Sequence, residues 1–261
     1  MKIATFLGNG GILWLTACAC LLVRQQTRRA ALTALLSLVF SALVCNALLK
    51  NLVERARPFD KIPGLQFLIR KPHDFSFPSG HTSSSFAVAT VFLATLPLWF
   101  GLTALGIAAV IAFSRMYLGV HTPLDVGVSF AVAVVLVFAL YPIVRYAVQK
   151  PKRMYVLLGV MTAISLAFVL YANLAAFPAD IDAENLAHGQ KNSYSLLGAL
   201  LGFCLAYGIE RKYIRFETKA VWWAQILKVV LGLAVVLAVK EGLKLVFSAL
   251  GFTWLGTNAI R

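Results

Sequence analysis

Acidic side chains are scarce in this chain. Of 261 residues only 10 are Asp or Glu, against 24 Lys or Arg, and the four charged types together make up 13%. Soluble domains carry about a quarter charged residues and run near half apolar, whereas here 60% of residues are hydrophobic and the mean hydropathy is +0.82. An ordinary soluble domain is excluded. The few carboxylates form no cluster that would hold magnesium. Cysteine is equally sparse: Cys18, Cys20, Cys45 and Cys204 lie in apolar segments without metal-ligand spacing and imply no pairing, so small apolar packing is their expected role. There is no internal repeat and no low-complexity segment. The net charge of +14 would suit nucleic acid if it were gathered on one arm or face. It is instead spread over inter-span loops, a pattern of topology signals and anionic headgroups that excludes a nucleic-acid partner.

What remains is an all-α polytopic membrane bundle. The length suits about eight spans of about 20 residues with short loops. The expected spans are 3–23, 30–49, 78–98, 102–118, 124–146, 154–176, 193–209 and 220–239. Lys2 precedes the first span and Arg24, Arg28 and Arg29 follow it, the reverse of a secretory leader. The positive-inside rule then puts the first loop in the cytoplasm. Counting spans from there carries residues 50–78, the 98–102 turn and the 119–123 break alternately out, in and out. Arg145, Lys150, Lys152 and Arg153 mark a second cytoplasmic turn, and Arg211, Lys212, Arg215 and Lys219 a third. The segment 177–192, with Asp180, Asp182 and Glu184, reads as external, and 240–250 either lies along the interface or prolongs the eighth helix.

Against this apolar background, the polar residues of the second quarter stand out. They fall in three groups: Lys50, six residues, then Arg57-Pro58; Pro78-Ser79-Gly80-His81; and Ser114-Arg115, five residues, His121, three residues, Asp125. Charge inside a membrane protein is costly enough to need a reason. The topology count brings all three groups to one membrane face. Three cations, two histidines and a carboxylate at helix ends form a plausible site for an anionic group. Arginine suits forked hydrogen bonding of phosphate oxygens, and lysine acts as a mobile point charge. Ser79 and Gly80 stand where a helix begins and could aim backbone N–H groups at a phosphate oxygen. Asp125, four residues after His121, is near enough to take one imidazole N–H and make the other nitrogen more basic.

These three groups match, position by position, the three-part signature of the type 2 phosphatidic acid phosphatase (PAP2) superfamily, and the chain is identified by them as resembling its integral membrane branch. The resemblance covers about the second quarter of the chain. It implies a phosphatase acting on a lipid phosphate or diphosphate, with His121 as nucleophile forming a phosphohistidine, His81 as general acid and then base, and Asp125 orienting His121. Lys50, Arg57, Ser79, Gly80 and Arg115 would hold the phosphate. No metal and no cofactor is called for, because three cations supply the charge. Candidate substrates are phosphatidic acid, phosphatidylglycerol phosphate and undecaprenyl diphosphate, among which motif residues cannot choose. Rival readings are a phosphotransferase using the same histidine and a non-catalytic phospholipid transporter, which would not need both histidines and Asp125. A compact bacterial plasma-membrane protein with an extracytoplasmic site is expected. Its parts would be an N-terminal helix and loop (1–29), a catalytic core (30–150) and C-terminal helices (151–261) whose packing role is the simplest reading. Arg55, Arg70 and Lys71 read as solvated charges, and His73 and His188 as surface residues.

Overall fold

The computed structural model describes residues 12–62, 72, 74–175, 183–214 and 221–249. Among these the secondary structure is helical, with turns and no strand. The elements are α1 (Ile12–Leu22), α2 (Arg28–Ser41), a π-helical segment (Ala42–Leu49) running straight into α3 (Lys50–Val53), α4 (Pro58–Lys61), α5 (Gly80–Thr95), α6 (Leu98–Tyr117), α7 (Pro123–Val148), α8 (Pro151–Leu174), α9 (Ala183–Ile209) with a π-helical end (Glu210–Ile214), and α10 (Trp222–Ala249). Residues 1–216 form one compact unit and 217–261 a second. The chain is a multi-pass membrane protein. Five stretches are long and apolar enough to cross a bilayer: Arg28–Lys61, Leu98–Tyr117, Pro123–Val148, Pro151–Leu174 and Leu186–Ile214. The first residues of the expected first span, the outer part of the 177–192 segment, and Arg70, Lys71 and His73 lie outside the described residues.

Proline and capping chemistry explain the helix starts. Pro58, Pro123 and Pro151 occupy first-turn positions, where a missing N–H costs no helical bond. At α7 the Thr122 hydroxyl accepts from the Asp125 backbone N–H at 3.2 Å while the Asp125 carboxylate accepts from the Thr122 N–H at 2.7 Å, a reciprocal cap. Two spans differ from their expected limits. Helix α9 starts at Ala183, ten residues ahead of the expected 193, because 183–192 holds good helix formers whose polarity hides them from a hydropathy reading. The region 240–249 prolongs α10.

The centre of the first unit is α5. It packs against α2, α6 and α7, and Ala87, Val88, Ala89, Val91 and Phe92 are fully buried along it. With 16 residues it rises about 24 Å, short of the roughly 30 Å hydrocarbon layer. Enclosed by neighbours, it need not reach both membrane surfaces. Small residues (Ala108, Ala112, Ala133, Ser129) let the flanking helices approach closely. A second apolar cluster of Leu36, Val144, Leu158, Met161 and Leu200 ties α2 to α7, α8 and α9. Leu98, Trp99, Val135, Phe138 and Leu174 face outward, as a lipid-facing perimeter requires.

Candidate active site

Helix ends of α3, α5, α6 and α7 and one returning loop build the site. The π-helical segment has one residue more per turn than an α-helix, which re-aims the residues after it, and Lys50 follows it directly, buried. Glu54 ends α3 in the left-handed conformation (φ 47°) and turns the chain so that Arg55 and Arg57 fold back over the helix end. The loop before α5 is tied to this turn by the Ser76 N–H donating to the Arg55 carbonyl at 2.8 Å. The 118–122 turn between α6 and α7 presents His121.

All three sequence groups meet here. Lys50, Arg57, Arg115, His121 and Asp125 are buried. Arg57 anchors the centre: its Nη1 donates to the Val120 carbonyl at 2.8 Å and lies 3.5 Å from His121 Nε2. His121 Nδ1 faces Asp125 Oδ2 at 3.8 Å, beyond hydrogen-bond length, and Nδ1 and Arg115 Nε are buried without a hydrogen-bond partner among the described residues. Catalytic hydrogen bonds are commonly long before substrate tightens the site. His81 lines the cavity beside Lys50 and Gly80, within reach of the charges of Arg115, His121 and Lys50.

His121 lies between membrane helices, and its imidazole is pushed down to about 4 from the ordinary 6.5. Burial is the main cause, and the cations Arg57, Lys50 and Arg115 add to it. Asp125 pulls the other way. The ring is therefore neutral at physiological pH, with one nitrogen toward a carboxylate and the other toward a cluster of cations.

Asp74, absent from the sequence reading, occupies the centre of the cation cluster. Its carboxylate pairs with both Lys50 Nζ and the Arg57 guanidinium, and its backbone carbonyl accepts from Arg57 Nε at 2.7 Å. Burial alone would raise its pKa. The charges of Lys50 and Arg57 outweigh that and hold it well below the usual carboxylate range. Lys50 and Arg57 thus hold one carboxylate between them, each on a different oxygen, while the second arm of the Arg57 guanidinium takes the Asp74 backbone carbonyl.

Several sequence expectations change. Arg55 is no solvated charge: its Nη1 donates to Asp125 Oδ1 at 3.1 Å, and the Ser76 hydroxyl donates to Oδ2 at 2.6 Å. The carboxylate facing His121 is itself held from three sides. Ser79 does not offer its N–H to the pocket, since that N–H donates to Ser129 Oγ at 2.7 Å, and Ser129 in turn donates to the Asp125 carbonyl. Gly80 lines the cavity and lies close against the Asn46 side chain, whose Oδ1 would stand 2.2 Å from an added Cβ. His188 is not a surface residue. It is half-buried on α9 and lines the same cavity as Lys50 and His81, with Asn192 beside it. The signals for Asp74 and Ser76 were faint: one acid and one serine just ahead of Pro78. Nothing in the sequence tied His188 to a site 67 residues from His121.

Comparison with known proteins points to one family. The PAP2 superfamily profile matches residues 30–149, and a PAP2 superfamily phosphatase transmembrane extension matches 194–261. An undecaprenyl-diphosphatase of Sulfolobus acidocaldarius is 35% identical over 113 residues, 43% of this chain and 54% of that protein. A lipid A 4'-phosphatase of Bacteroides thetaiotaomicron is 34% identical over 97 residues, 34% of this chain and 43% of that one. The chain thus spans about half the length of the curated relatives it matches. The crystal structure of a transmembrane PAP2-type phosphatidylglycerolphosphate phosphatase from Bacillus subtilis is 27% identical, covers 54% of this chain and 73% of its own, and superposes with a TM-score of 0.44. With PAP2 profiles matched over both 30–149 and 194–261, this chain belongs to the PAP2 superfamily.

Proposed function

We propose that the protein hydrolyses a lipid phosphate or lipid diphosphate through a phosphohistidine on His121, with no metal in the reaction. The observation that carries this reading is the placement of His121 Nε2 3.5 Å from Arg57, while Arg57 and Lys50 already hold an oxyanion in the form of Asp74. Phosphate taking the place of that carboxylate would sit against the unprotonated nitrogen. Nε2 forms the bond to phosphorus and the bond to the leaving oxygen breaks, with His81, protonated once the negative charge of the phosphate has entered among the cations, giving that oxygen a proton. His81 then takes a proton from water, the water oxygen attacks phosphorus, the P–N bond breaks, and inorganic phosphate leaves. Arg57, Lys50 and Arg115 balance the charge of the five-coordinate transition state, the kind of stabilisation that contributes most. Asp125, held by Arg55, Ser76 and Thr122, steadies the imidazole.

In this reading residues 30–150 carry the chemistry, 1–29 supply a packing helix and first loop, and 151–261 surround the core. The membrane is a bacterial plasma membrane, and the site faces outward. The basic ends of the helices opposite the site support that orientation.

The test is phosphate release by detergent-purified protein in EDTA, offered phosphatidic acid, phosphatidylglycerol phosphate, undecaprenyl diphosphate and glucose 6-phosphate. Release from a lipid substrate that falls at least about 1000-fold in His121→Ala is expected. Activity surviving that substitution would sink the mechanism. Activity lost to EDTA and restored by a divalent cation would sink the metal-free chemistry.

A further inference from the structure

Helix α9 lies outside the catalytic signature, and its residues His188 and Asn192 fall between the two segments that match family profiles. Both line a cavity of about 470 Å³ shared with Lys50, Asp74 and His81. The helix is seated close to the catalytic turn: a Cβ added at Gly189 would stand 3.6 Å from Oδ1 of Asn51, the residue after Lys50. The Asn192 amide lies 3.1 Å from His188 Nδ1 and donates to it, so the ring keeps its proton on Nε2 as a donor. Farther along, the same cavity is walled by Leu38, Val39, Leu196 and Ala199, an apolar run suited to a hydrocarbon chain. Lys50 and His81 of the reaction centre, the polar donor pair and the apolar wall therefore border one space.

We infer that His188 and Asn192 form a leaving-group subsite that binds the lipid-proximal phosphate of a lipid diphosphate. This rests on the phosphatase reading above for the position of the reacting phosphate. When His121 Nε2 bonds to the terminal phosphorus, the bond from that phosphorus to the bridging oxygen breaks. The electron pair stays on the bridging oxygen, which takes the proton from His81 and becomes a terminal oxygen of the departing lipid monophosphate. That group gains negative charge in the transition state. Imidazole N–H, amide N–H and the Lys50 ammonium are donors, and phosphate oxygens are acceptors only. A lipid monophosphate presents no second phosphate to them.

The test compares farnesyl diphosphate with farnesyl phosphate, which share a tail and differ by one phosphate. Binding is measured on His121→Ala protein, where turnover does not interfere, with and without His188→Ala or Asn192→Ala. Diphosphate affinity should fall about tenfold or more in each, while monophosphate affinity stays within about twofold. His188→Gln, which keeps a donor, should recover part of the loss. Equal losses for both ligands would mark a structural role and overturn the inference, as would unchanged affinity for both. Because binding is read without turnover, a parent protein that hydrolyses neither lipid would sink the phosphatase reading, while a diphosphate-selective loss would still uphold the subsite.

Discussion

Asp74 decides how the pocket manages its charge. Three buried cations close together repel one another, and a carboxylate between two of them offsets that cost only while it is present. In Asp74→Asn the cations lose their partner, so the protein should lose about 3 kcal/mol of stability, and inorganic phosphate should restore most of the melting temperature. Phosphate should also compete with substrate about tenfold more strongly, because it no longer has to displace a charged side chain. Unchanged phosphate inhibition would show that Asp74 does not share the substrate's seat. His121 gives a pH prediction of defined sign. Its folded pKa lies at about 4 and its ordinary one at 6.5, so between these values the unfolded chain binds the extra proton. Acidification from 6.5 towards 4 therefore destabilises the fold, and the contribution is fully present above 6.5. NMR of labelled imidazoles, assigned by difference with His121→Gln, should show a midpoint near 4; one near 6.5 would contradict the buried cationic setting. The signature residues themselves were legible from their order and spacing. Arg55, Asp74, Ser76 and Ser129 were not, because their partnerships arise only when the chain turns back at Glu54 and re-enters before Pro78.

At the scale of the helix, function depends on where α5 begins. Its first turn carries Gly80 and His81, and its far end is clamped against α6, where a Cβ on Gly101 would stand 2.4 Å from the Leu93 Cα. Backbone cannot yield as a flexible side chain can. Gly101→Ala should cost about 1–3 kcal/mol in thermal unfolding and lower kcat by tilting the His81 end. Gly106 on the same helix has nothing within 4 Å of its would-be Cβ, so Gly106→Ala should be neutral or stabilising by up to about 1 kcal/mol. Equal effects at the two positions would mean that helix propensity, not the crossing, governs stability here. Hydropathy located most spans, since a lipid-facing helix must be apolar. It could not reveal the π-helical segment before Lys50, which is a matter of hydrogen-bond register, nor the polar first turns of α9, which are helical without being hydrophobic.

The two ends of the first unit differ in chemistry, and that difference argues its orientation. One end carries the site. At the other, the α1–α2 turn, the end of α5 and the α7–α8 turn converge around a cavity of about 500 Å³ lined by Gln26, Arg29, Thr95, Tyr141, Arg145 and Gln149. There Arg28 also pairs with Glu210 at 2.9 Å, fastening the first turn to the end of α9. Lys150, Lys152 and Arg153 add to the same end. Retained basic loops face the cytoplasm because moving Lys and Arg across a membrane is disfavoured, so the site should face away from it. Cysteine labelling tests this in a background where Cys18, Cys20, Cys45 and Cys204 are replaced. Lys61, exposed on α4 a few residues beyond Arg57, and Gln149, exposed at the α7–α8 turn, report on opposite ends. A membrane-impermeant maleimide added to intact cells should modify Lys61→Cys and spare Gln149→Cys, and disrupted cells should label both. The reverse pattern in intact cells would put the histidines in the cytoplasm, where the enzyme would meet only lipids presented by the inner leaflet.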